Sequence, residues 1–383
     1  MGGFAIGTTE YATMSLLPFF SAGLRVDEPT AGHVISAYAL GVVVGAPLLA
    51  VIASRFSRRH VLVGLMLLFA LGNLLSALAP NYPAMLAFRF VSGLPHGAYF
   101  GIASLVAASL VPRERRTQAV AHVMMGLTVA TIVGVPLANW LGQAWGWRWG
   151  FGIVAAIAAA TAVSIVLVAP HDRPDDRGGA LAELRILRDP RIWLTLAIGA
   201  IGYGGLFCVY TYLASTLIAV TGASKEAVPV VLTIFGVGMT LGNVIVPRFA
   251  DRALMPTAAG LLLWSAVVLA LYVVAAHAFW SIALTVFAIG LGGGLGTVLQ
   301  TRLMDQAEGG QGLAAALNHS AFNFANALGP WAGGLAIAAG YGLTATGWVG
   351  CLLSLAGLAI WAVAWLDDRA GADGRFAGAS TQA

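Results

Sequence analysis

The stretch "HDRPDDRGGALAELRILRDPR", residues 171–191, is the longest polar segment of the 383-residue chain and divides it into two similar parts. On either side, nearly every residue belongs to an apolar run of about 20 residues, the length an α-helix needs to cross ~30 Å of hydrocarbon. Charged residues make up 9% of the chain, against about 25% in soluble domains. The composition therefore predicts a polytopic α-helical membrane protein.

Six apolar spans precede this segment and six follow it. Polar breaks and turn residues place them near 2–24, 32–54, 60–79, 83–110, 118–143 and 148–170, and then near 192–220, 226–247, 256–277, 279–300, 312–338 and 344–366. The pattern predicts an N-terminal bundle over 1–170, a cytoplasmic linker over 171–191, a C-terminal bundle over 192–366 and a cytoplasmic tail over 367–383. The start lacks a basic segment and a small-residue cleavage site, so we expect the first run to remain as the first helix.

Basic residues orient these spans. If the termini and the linker share one side, sixteen of the 20 Lys and Arg residues lie there, and Arg89 lies near the start of the fourth span. Three lie opposite: Arg25, Arg148 and Lys225. The positive-inside rule then places both termini in the cytoplasm of a bacterial cell. Trp145, Trp147 and Trp149 surround Arg148, as is typical of anchors at the outer membrane interface.

The two halves carry related segments. "GAPLLAVIASRFSRR" (45–59) and "GMTLGNVIVPRFADR" (238–252) share five residues at an offset of 193, and "GVP" at 134–136 answers "GP" at 329–330. The matched pairs are Gly45/Gly238, Ile52/Ile245, Arg55/Arg248, Phe56/Phe249 and Arg59/Arg252. Parallel repeats related by an axis along the membrane normal are a transporter architecture, with the substrate site between the repeats.

Several motifs, in order along almost the whole chain, carry a family resemblance. They are "GTTEY" (7–11), "SAYALGVVVGAP" (36–47), "RFVSGLPHGAYFG" (89–101), "GVPLANWLGQAWGWRWGF" (134–151) and "NHSAFNFANALGPWAGG" (318–334). With them the chain resembles the major facilitator superfamily, specifically its twelve-span drug/proton antiporters and their arabinose-efflux-permease-like branch. The resemblance implies an all-α integral membrane fold of twelve transmembrane helices in two pseudo-symmetric six-helix bundles.

The loop after the second span departs from the superfamily signature. Ser54 stands where the family has the aspartate of a charge-relay lock that holds one gate shut. We therefore expect a weaker or differently built lock, with an ion pair of Asp251 and Arg252 compensating in the second half. The expected gating residues are Arg55, Arg58, Arg59, Arg248, Asp251 and Arg252.

Glu10 is the only acidic residue that we place inside a span. Eight residues of helix put it about 12 Å from the cytoplasmic end. A charge at the bilayer centre costs ~2.5–3.5 kcal/mol on insertion scales, so such a residue is a functional candidate. Burial disfavours the ionised carboxylate and water access restores it, which suits a proton carrier. The alternative is a glutamate satisfied by the hydroxyls of Thr8, Thr9 and Thr13 that only fixes helix packing.

Arg89 and His96 are seven residues apart in span four and share one helix face. The resemblance places Arg89 at the family's span-four arginine, which is linked to proton transfer, and a histidine titrates in the useful range. The alternatives are an arginine that snorkels to the outer interface and a histidine in a neutral interhelical hydrogen bond.

Span five carries Gly126, Gly134, Pro136 and Gly142, which resemble the antiporter signature. Glycines allow close helix packing, and proline frees a carbonyl group and bends the helix. In the family this bend is associated with export. The alternative is the ordinary glycine and proline content of membrane helices.

Polar and aromatic residues of spans one, seven and eleven are candidates for lining a substrate cavity. They are Tyr11, Met14, Tyr203, Phe207, Tyr210, Asn318, His319, Asn323 and Asn326. The amides could hydrogen-bond a polar substrate, or equally tie helices together. The aromatic residues could also belong to any packed helix face.

The leading hypothesis is a proton-coupled exporter of small organic molecules, drug-like or sugar-like, that works by alternating access. An importer or uniporter of a sugar-like solute is the alternative, and a membrane-embedded sensor or enzyme is a distant one. The chain contains no H-E-x-x-H, G-x-S-x-G or Walker motif and no clustered metal ligands. We expect no cofactor, metal, disulfide or nucleic-acid partner. The expected partners are the substrate, protons and lipid, and the expected state is a monomer.

Overall fold

The computed structural model of the protein describes residues 1–53, 56–112, 116–169, 184–307 and 311–380. Its regular structure over these residues is entirely helical. The α-helices of the first half are α1 Gly2–Ser15, α2 Leu17–Leu24, α3 Glu28–Ala53, α4 Arg58–Ala77, α5 Tyr82–Gly93, α6 Pro95–Ser109, α7 Arg116–Val129, α8 Val135–Trp145 and α9 Arg148–Val168. Those of the second half are α10 Pro190–Gly202, α11 Gly204–Ala219, α12 Val228–Ala250, α13 Leu254–Ala275, α14 Phe279–Leu291, α15 Leu295–Gln306, α16 Gln311–Ala336 and α17 Ala345–Ser380.

These helices form the twelve predicted spans. Five spans consist of two α-helices in sequence: α1 with α2, α5 with α6, α7 with α8, α10 with α11, and α14 with α15. Ten of the spans in the described ranges are long and apolar enough to cross a membrane by composition alone. Of the other two spans, span one is interrupted at Leu16 and span eleven contains several amide side chains. Between the halves, Leu184–Arg188 forms a 3-10 turn, and residues 171–183 of the predicted linker lie outside the described residues.

Prolines explain where three spans break. Pro18, Pro95 and Pro136 each occupy the second or first position of a new helix. Since proline has no N–H group to donate to the preceding turn, the regular hydrogen-bond ladder stops there. In span five the interruption is a π-helical turn, Ala130–Gly134, in which the Val135 N–H donates to the carbonyl oxygen of Ala130.

The internal repeat is present in the packing, but its register differs from the sequence comparison. Four glycines contact a neighbouring span so closely that a Cβ atom would lie 2.1–2.3 Å from a carbonyl oxygen: Gly41 with Phe90, Gly45 with Leu94, Gly238 with Phe287 and Gly242 with Leu291. Equivalent partners are separated by 197 positions, so Gly45 corresponds to Gly242. The pairing of Gly45 with Gly238 was therefore wrong by one helical turn. Each segment has two glycines four residues apart. Gly45 therefore aligns with a glycine at either offset, with Gly238 at 193 and with Gly242 at 197.

Trp147 also differs from expectation. Trp145 and Trp149 are 63% and 53% exposed, as anchors should be, whereas Trp147 is only 6% exposed. Its ring packs against Phe20, and the Arg148 guanidinium carbon lies 4.2 Å from the ring centre in a cation–π contact. Trp147 is therefore a core residue that joins spans one and six, because its place at the start of α9 turns it inwards.

The last helix, α17, continues beyond residue 366, where the sequence predicted a tail. Asp368 of this extension forms an ion pair with Arg302 of span ten. Arg302 of α15 is buried and donates from Nη1 to Asp368 Oδ2 at 2.9 Å and from Nε to Thr195 Oγ1 at 2.9 Å. Arg191 and Asp367 form a second, more exposed pair at 3.4 Å. Spans seven, ten and twelve are thereby joined at the end of the bundle that carries the chain termini.

We expect Asp368→Asn to lower the free energy of unfolding by about 1.5–3 kcal/mol, because it weakens a charged hydrogen bond to a buried cation. Asp367→Asn is the matched control, since its partner is partly exposed and such pairs contribute about 0–1 kcal/mol. Denaturant unfolding of the purified variants in detergent measures both values. Equal losses for the two variants would show that the buried Arg302 does not depend on Asp368.

Candidate functional site

Glu10 lies in the middle of α1 and contacts the other half of the molecule. Its side chain is 7% exposed, and Asn326 of span eleven donates from Nδ2 to Glu10 Oε1 at 3.1 Å. The neighbouring hydroxyl groups have other arrangements: Thr9 donates to Asn73, Thr13 donates to the Thr9 carbonyl oxygen, and Thr8 Oγ1 has no partner. The carboxylate is therefore held across the two halves and not by the threonines of its own helix.

Aromatic residues of spans one and seven surround this contact. The Tyr11 ring lies 6.3 Å from Phe207 and 5.6 Å from Tyr210, and Tyr203 lies 5.5 Å from Phe207. Tyr210 Oη and Asn326 Oδ1 are buried without a hydrogen-bond partner. Buried polar atoms normally have partners, because leaving one unpaired costs about 1–3 kcal/mol. Asn326 Oδ1 belongs to the amide that contacts Glu10, so one of these two unsatisfied atoms lies directly beside the carboxylate.

The other predicted cavity residues lie around this centre with different partners. Met14 is fully buried one helical turn beyond Glu10. Asn318 donates to the Gly296 carbonyl oxygen at 3.4 Å, which ties spans ten and eleven. Asn323 donates to the His319 carbonyl oxygen of its own helix, and its Oδ1 is buried without a partner.

Arg89 is buried at 1% exposure, so it does not snorkel to an interface. Its Nη1 donates to Thr9 Oγ1 at 3.1 Å, and Thr9 in turn donates to Asn73 Oδ1 at 2.7 Å. The guanidinium carbon lies 4.3 Å from the centre of the Tyr38 ring, a cation–π contact. A buried cation thus contacts the residue that precedes Glu10.

The sequence analysis did not predict Thr9 and Tyr38 as contacts of Arg89, or Asn73 as the partner of Thr9. Asn73 was detectable as a lone amide in the apolar third span. Its pairing with Thr9 was not, because the two residues are 64 positions apart and belong to different periodic patterns.

His96 and His319 face each other across Phe100. His96 Nδ1 lies 3.0 Å from Tyr38 Oη, and its ring centre lies 5.5 Å from Phe100. Phe100 stacks on His319 of span eleven at 5.9 Å with an interplanar angle of 5°. Because span four runs from Asn81 towards Ser109 and span eleven starts at Gln311, this aromatic layer lies between Glu10 and the end of the bundle with the chain termini.

The glycines of span five pack against span one. A Cβ atom on Gly126 would lie 2.8 Å from the Phe4 nitrogen, one on Gly134 would lie 2.2 Å from Thr8 Oγ1, and one on Gly142 would lie 2.4 Å from a Leu16 methyl group. The π-helical turn before Pro136 faces span eight, where a Cβ atom on Gly236 would lie 2.8 Å from the Thr131 carbonyl oxygen. Span five therefore fixes the helix that carries Glu10 and also contacts the other half.

We expect Gly126→Ala to displace span one and to reduce transport at least tenfold, because its Cβ atom meets the backbone of α1 where no side chain can move aside. Gly152→Ala is the matched control, since nothing lies within 4 Å of its added Cβ atom. Transport rates at equal membrane abundance measure the difference. Wild-type transport by Gly126→Ala would contradict a close span one–span five contact.

The predicted gating residues lie near the helix ends after the second span of each half. Arg55 lies outside the described residues, whereas Arg58 and Arg59 begin α4, and Arg59 Nη2 donates to the Val166 carbonyl oxygen of span six. Arg248 Nη1 donates to the Val244 carbonyl oxygen of its own helix at 3.0 Å.

Asp251 and Arg252 are exposed and form no ion pair in the part of the chain that the structure describes. Since the repeat offset is 197, Asp251 corresponds in position to Ser54. The ion pairs described at this end of the second half are Arg191–Asp367 and Arg302–Asp368.

The two halves also meet at the end opposite the chain termini. Ser36 Oγ donates to the Ala327 carbonyl oxygen at 2.8 Å, and Gln143 Nε2 donates to the Lys225 carbonyl oxygen at 2.9 Å. A Cβ atom on Gly334 would lie 3.5 Å from the Pro29 Cα atom. Spans two and eleven are therefore closely packed at this end.

Comparison with known proteins gives consistent results. The family model "Major Facilitator Superfamily" matches residues 1–256. The chain is 40% identical over 361 residues to "Inner membrane transport protein YdhP" of Escherichia coli K12. The aligned region covers 94% of this chain and 92% of that protein. It is 33% identical to "Putative transporter AraJ" of the same strain, in an alignment that covers 94% of this chain and 91% of that protein. It is 31% identical to the "Chloramphenicol resistance protein" of Streptomyces lividans, in an alignment that covers 85% of this chain and 84% of that protein.

A solved structure confirms the fold. The crystal structure of a bacterial homologue of the human lysosomal transporter Spinster superposes with a TM-score of 0.73 over 95% of this chain and 94% of that one, at 17% identity. The sequence-based predictions of the family and of the fold with two six-helix halves are confirmed by these matches. The chain belongs to the Major Facilitator Superfamily and is a multi-pass transporter of the inner membrane, with efflux-type relatives, and not an enzyme.

Proposed function

We propose that the protein exports small organic molecules in exchange for protons. The observation that carries this proposal is the hydrogen bond between Glu10 of the first half and Asn326 of the second, inside a site where the carboxylate is almost fully buried. A change in the charge of Glu10 would alter a contact between the halves. Proton binding and the relative position of the halves would then be linked.

The coupling cycle has two steps at Glu10. Protonated Glu10 is tolerated in the closed, dry site, because burial penalises the ionised form. Opening the site to water lets the carboxyl group release its proton. Arg89, which donates a hydrogen bond to the adjacent Thr9, favours the carboxylate that remains. We propose that His96, which lies between Glu10 and the end with the termini, takes part in the proton path on that side once water enters.

Alternating access requires that the halves separate at each end in turn. The positive-inside pattern supports cytoplasmic termini, so the contacts of Ser36, Gln143 and Pro29 would close the outer end. We propose that Arg55, Arg58, Arg59, Arg248, Asp251 and Arg252 act at the cytoplasmic end. The two bundles, 1–170 and 192–366, would move about this central site within a monomer.

The substrate that fits best is a neutral or singly charged amphipathic molecule. The site offers one carboxylate, the free Tyr210 hydroxyl and the free Asn326 oxygen within an aromatic shell. A multiply charged solute would lack counter-charges there. The name of the Streptomyces lividans relative supports chloramphenicol, a neutral amphipathic compound, as the first candidate.

An efflux assay tests this function. Cells that express the protein are loaded with compounds of a panel that includes chloramphenicol and neutral sugars, and efflux is followed with and without a protonophore. We expect export of at least one amphipathic compound that the protonophore abolishes. Uptake of a sugar instead of export would favour the importer, and protonophore-resistant export would exclude proton coupling.

A further inference from the structure

A second carboxylate lies at the contact between the two halves, at the end opposite the chain termini. Glu28 is the first residue of α3, in span two, and its side chain is only partly exposed. It faces the hydroxyl group of Ser215 on α11, in span seven. Glu28 therefore joins the two halves at the outer end of an interface whose centre is the contact of Glu10 with Asn326.

This outer contact contains unpaired polar atoms. Glu28 Oε2 is buried without a hydrogen-bond partner, and so are Ser215 Oγ and Thr211 Oγ1. Ser215 and Thr211 are 3% and 0% exposed and lie one helical turn apart on the same face of α11. A buried polar group without a partner is unfavourable, and most of all a charged one. The closed contact therefore disfavours an ionised Glu28.

The charged and titratable groups around Glu28 do not include a counter-ion. Glu28 belongs to neither of the ion pairs in the part of the chain that the structure describes. Its ionisable neighbours are Asp27, which accepts a hydrogen bond from the Thr30 N–H, and Tyr212, whose hydroxyl donates to the Pro330 carbonyl oxygen. The N-terminus of α3 favours a negative charge. It moves with Glu28, however, and acts equally whether the halves are together or apart.

We propose that Glu28 is a second proton-binding site, at the outer end of the interface, and that closing this end requires a proton there. The inference rests on the alternating access proposed above. With the halves apart, water reaches the carboxyl group and it ionises. When the halves come together this water is lost. The protonated carboxyl group can then donate to Ser215 Oγ, whereas the ionised form would keep its charge on a buried, unpaired oxygen.

Such a site makes closure depend on the supply of protons outside. Because the closed state binds one more proton at Glu28 than the open state, the ratio of closed to open molecules rises as the pH falls, by up to tenfold per pH unit. The proton returns to the same side when this end reopens, so it is not exchanged for substrate. Glu28 therefore controls the position of the halves, whereas Glu10 carries the exchanged proton.

Distances between spin labels across the outer end test this site in the purified full-length protein in lipid nanodiscs. The labels are attached through Ala22→Cys and Ala278→Cys, at exposed positions of the first and the second half, in a background of Cys208→Ala and Cys351→Ala. This parent protein also carries Glu10→Gln, so that titration of Glu10 cannot contribute. The ratio of short, closed distances to long ones is followed as the pH is varied, and we expect it to rise as the pH falls.

Three variants of this parent assign the pH dependence. Glu28→Gln should keep the outer end closed at every pH and abolish the dependence, because glutamine can donate to Ser215 but cannot ionise. Asp27→Asn is the matched control, since Asp27 is exposed and asparagine can still accept from the Thr30 N–H, and it should keep the full dependence. Ser215→Ala should keep the dependence but lower the closed-to-open ratio about fivefold at low pH, because one neutral hydrogen bond is lost.

Three results would overturn the proposal. A closed-to-open ratio of the parent that does not change with pH would show that no proton is linked to closure at this end. An unchanged pH dependence in Glu28→Gln would make Glu28 a packing residue, and a dependence lost in Asp27→Asn would assign it to the exposed acid. None of these results bears on proton exchange at Glu10, because the parent lacks that carboxyl group and transport is measured separately.

Discussion

Export by the Glu10→Gln variant against a concentration gradient is expected to fall to the level of cells without the transporter. Glutamine has the same size as glutamate and can still accept the hydrogen bond from Asn326, but it cannot release a proton. One charge moving through 100 mV contributes about 2.3 kcal/mol, equivalent to a roughly fiftyfold solute gradient. The variant loses this driving force, whereas downhill exchange of substrate, which needs no net proton release, should persist.

The measurement compares active efflux and substrate exchange at equal membrane abundance. Glu226→Gln is the matched control, because Glu226 is exposed in the loop before α12 and should leave both rates unchanged. If Glu10→Gln exports uphill at the wild-type rate, the carboxylate is structural. Arg89 and His96 would then be the next residues to test.

A disulfide between the outer ends of spans two and eleven is expected to stop transport. The change is Pro29→Cys with Gly334→Cys in a background of Cys208→Ala and Cys351→Ala. A Cβ atom at position 334 would lie 3.5 Å from the Cα atom of Pro29, and the Tyr212 hydroxyl at 2.8 Å must move aside for it. The two backbones are within the distance that a disulfide spans. Transport should fall more than tenfold on oxidation and recover on reduction, because the halves could no longer separate at this end.

The two single-cysteine variants are the controls for this experiment, and both should transport equally under oxidising and reducing conditions. The cysteine-free background must itself transport, since Cys208 packs against Gly333. If the fully cross-linked protein transports at the rate of the reduced protein, opening between Pro29 and Gly334 is not part of the cycle.

The sequence predicted the spans well because a membrane helix has an unmistakable length and composition. All twelve predicted runs contain helices, and the polar segment 171–191 lies between the two sets. The register of the repeat was less certain, because Gly41 and Gly45 have the same spacing as Gly238 and Gly242. Only the contacts with Leu94 and Leu291 show which pairs correspond.

The residues at the centre of the candidate site were predictable from the sequence, but the contact between Glu10 and Asn326 was not. Glu10 was identifiable as an acid in an apolar span and Asn326 as one of several amides in span eleven. Their contact joins residues 316 positions apart, and no periodicity encodes such a pair. Trp147 shows the converse limit: a tryptophan near an interface can face the lipid or the core, and only the packing against Phe20 decides which.

Proton movement coupled to substrate movement tests the central proposal most directly. The purified protein is reconstituted into liposomes that enclose a pH-sensitive dye, and chloramphenicol, or a compound identified by the efflux assay, is added outside without a pH gradient. Wild-type protein is predicted to move protons opposite to the substrate, so that the internal pH rises as substrate enters. Glu10→Gln should leave the internal pH unchanged and should take up labelled substrate only into liposomes preloaded with unlabelled substrate, by exchange. Substrate entry by the wild type without a pH change, or an equal pH change with Glu10→Gln, would contradict proton exchange at Glu10.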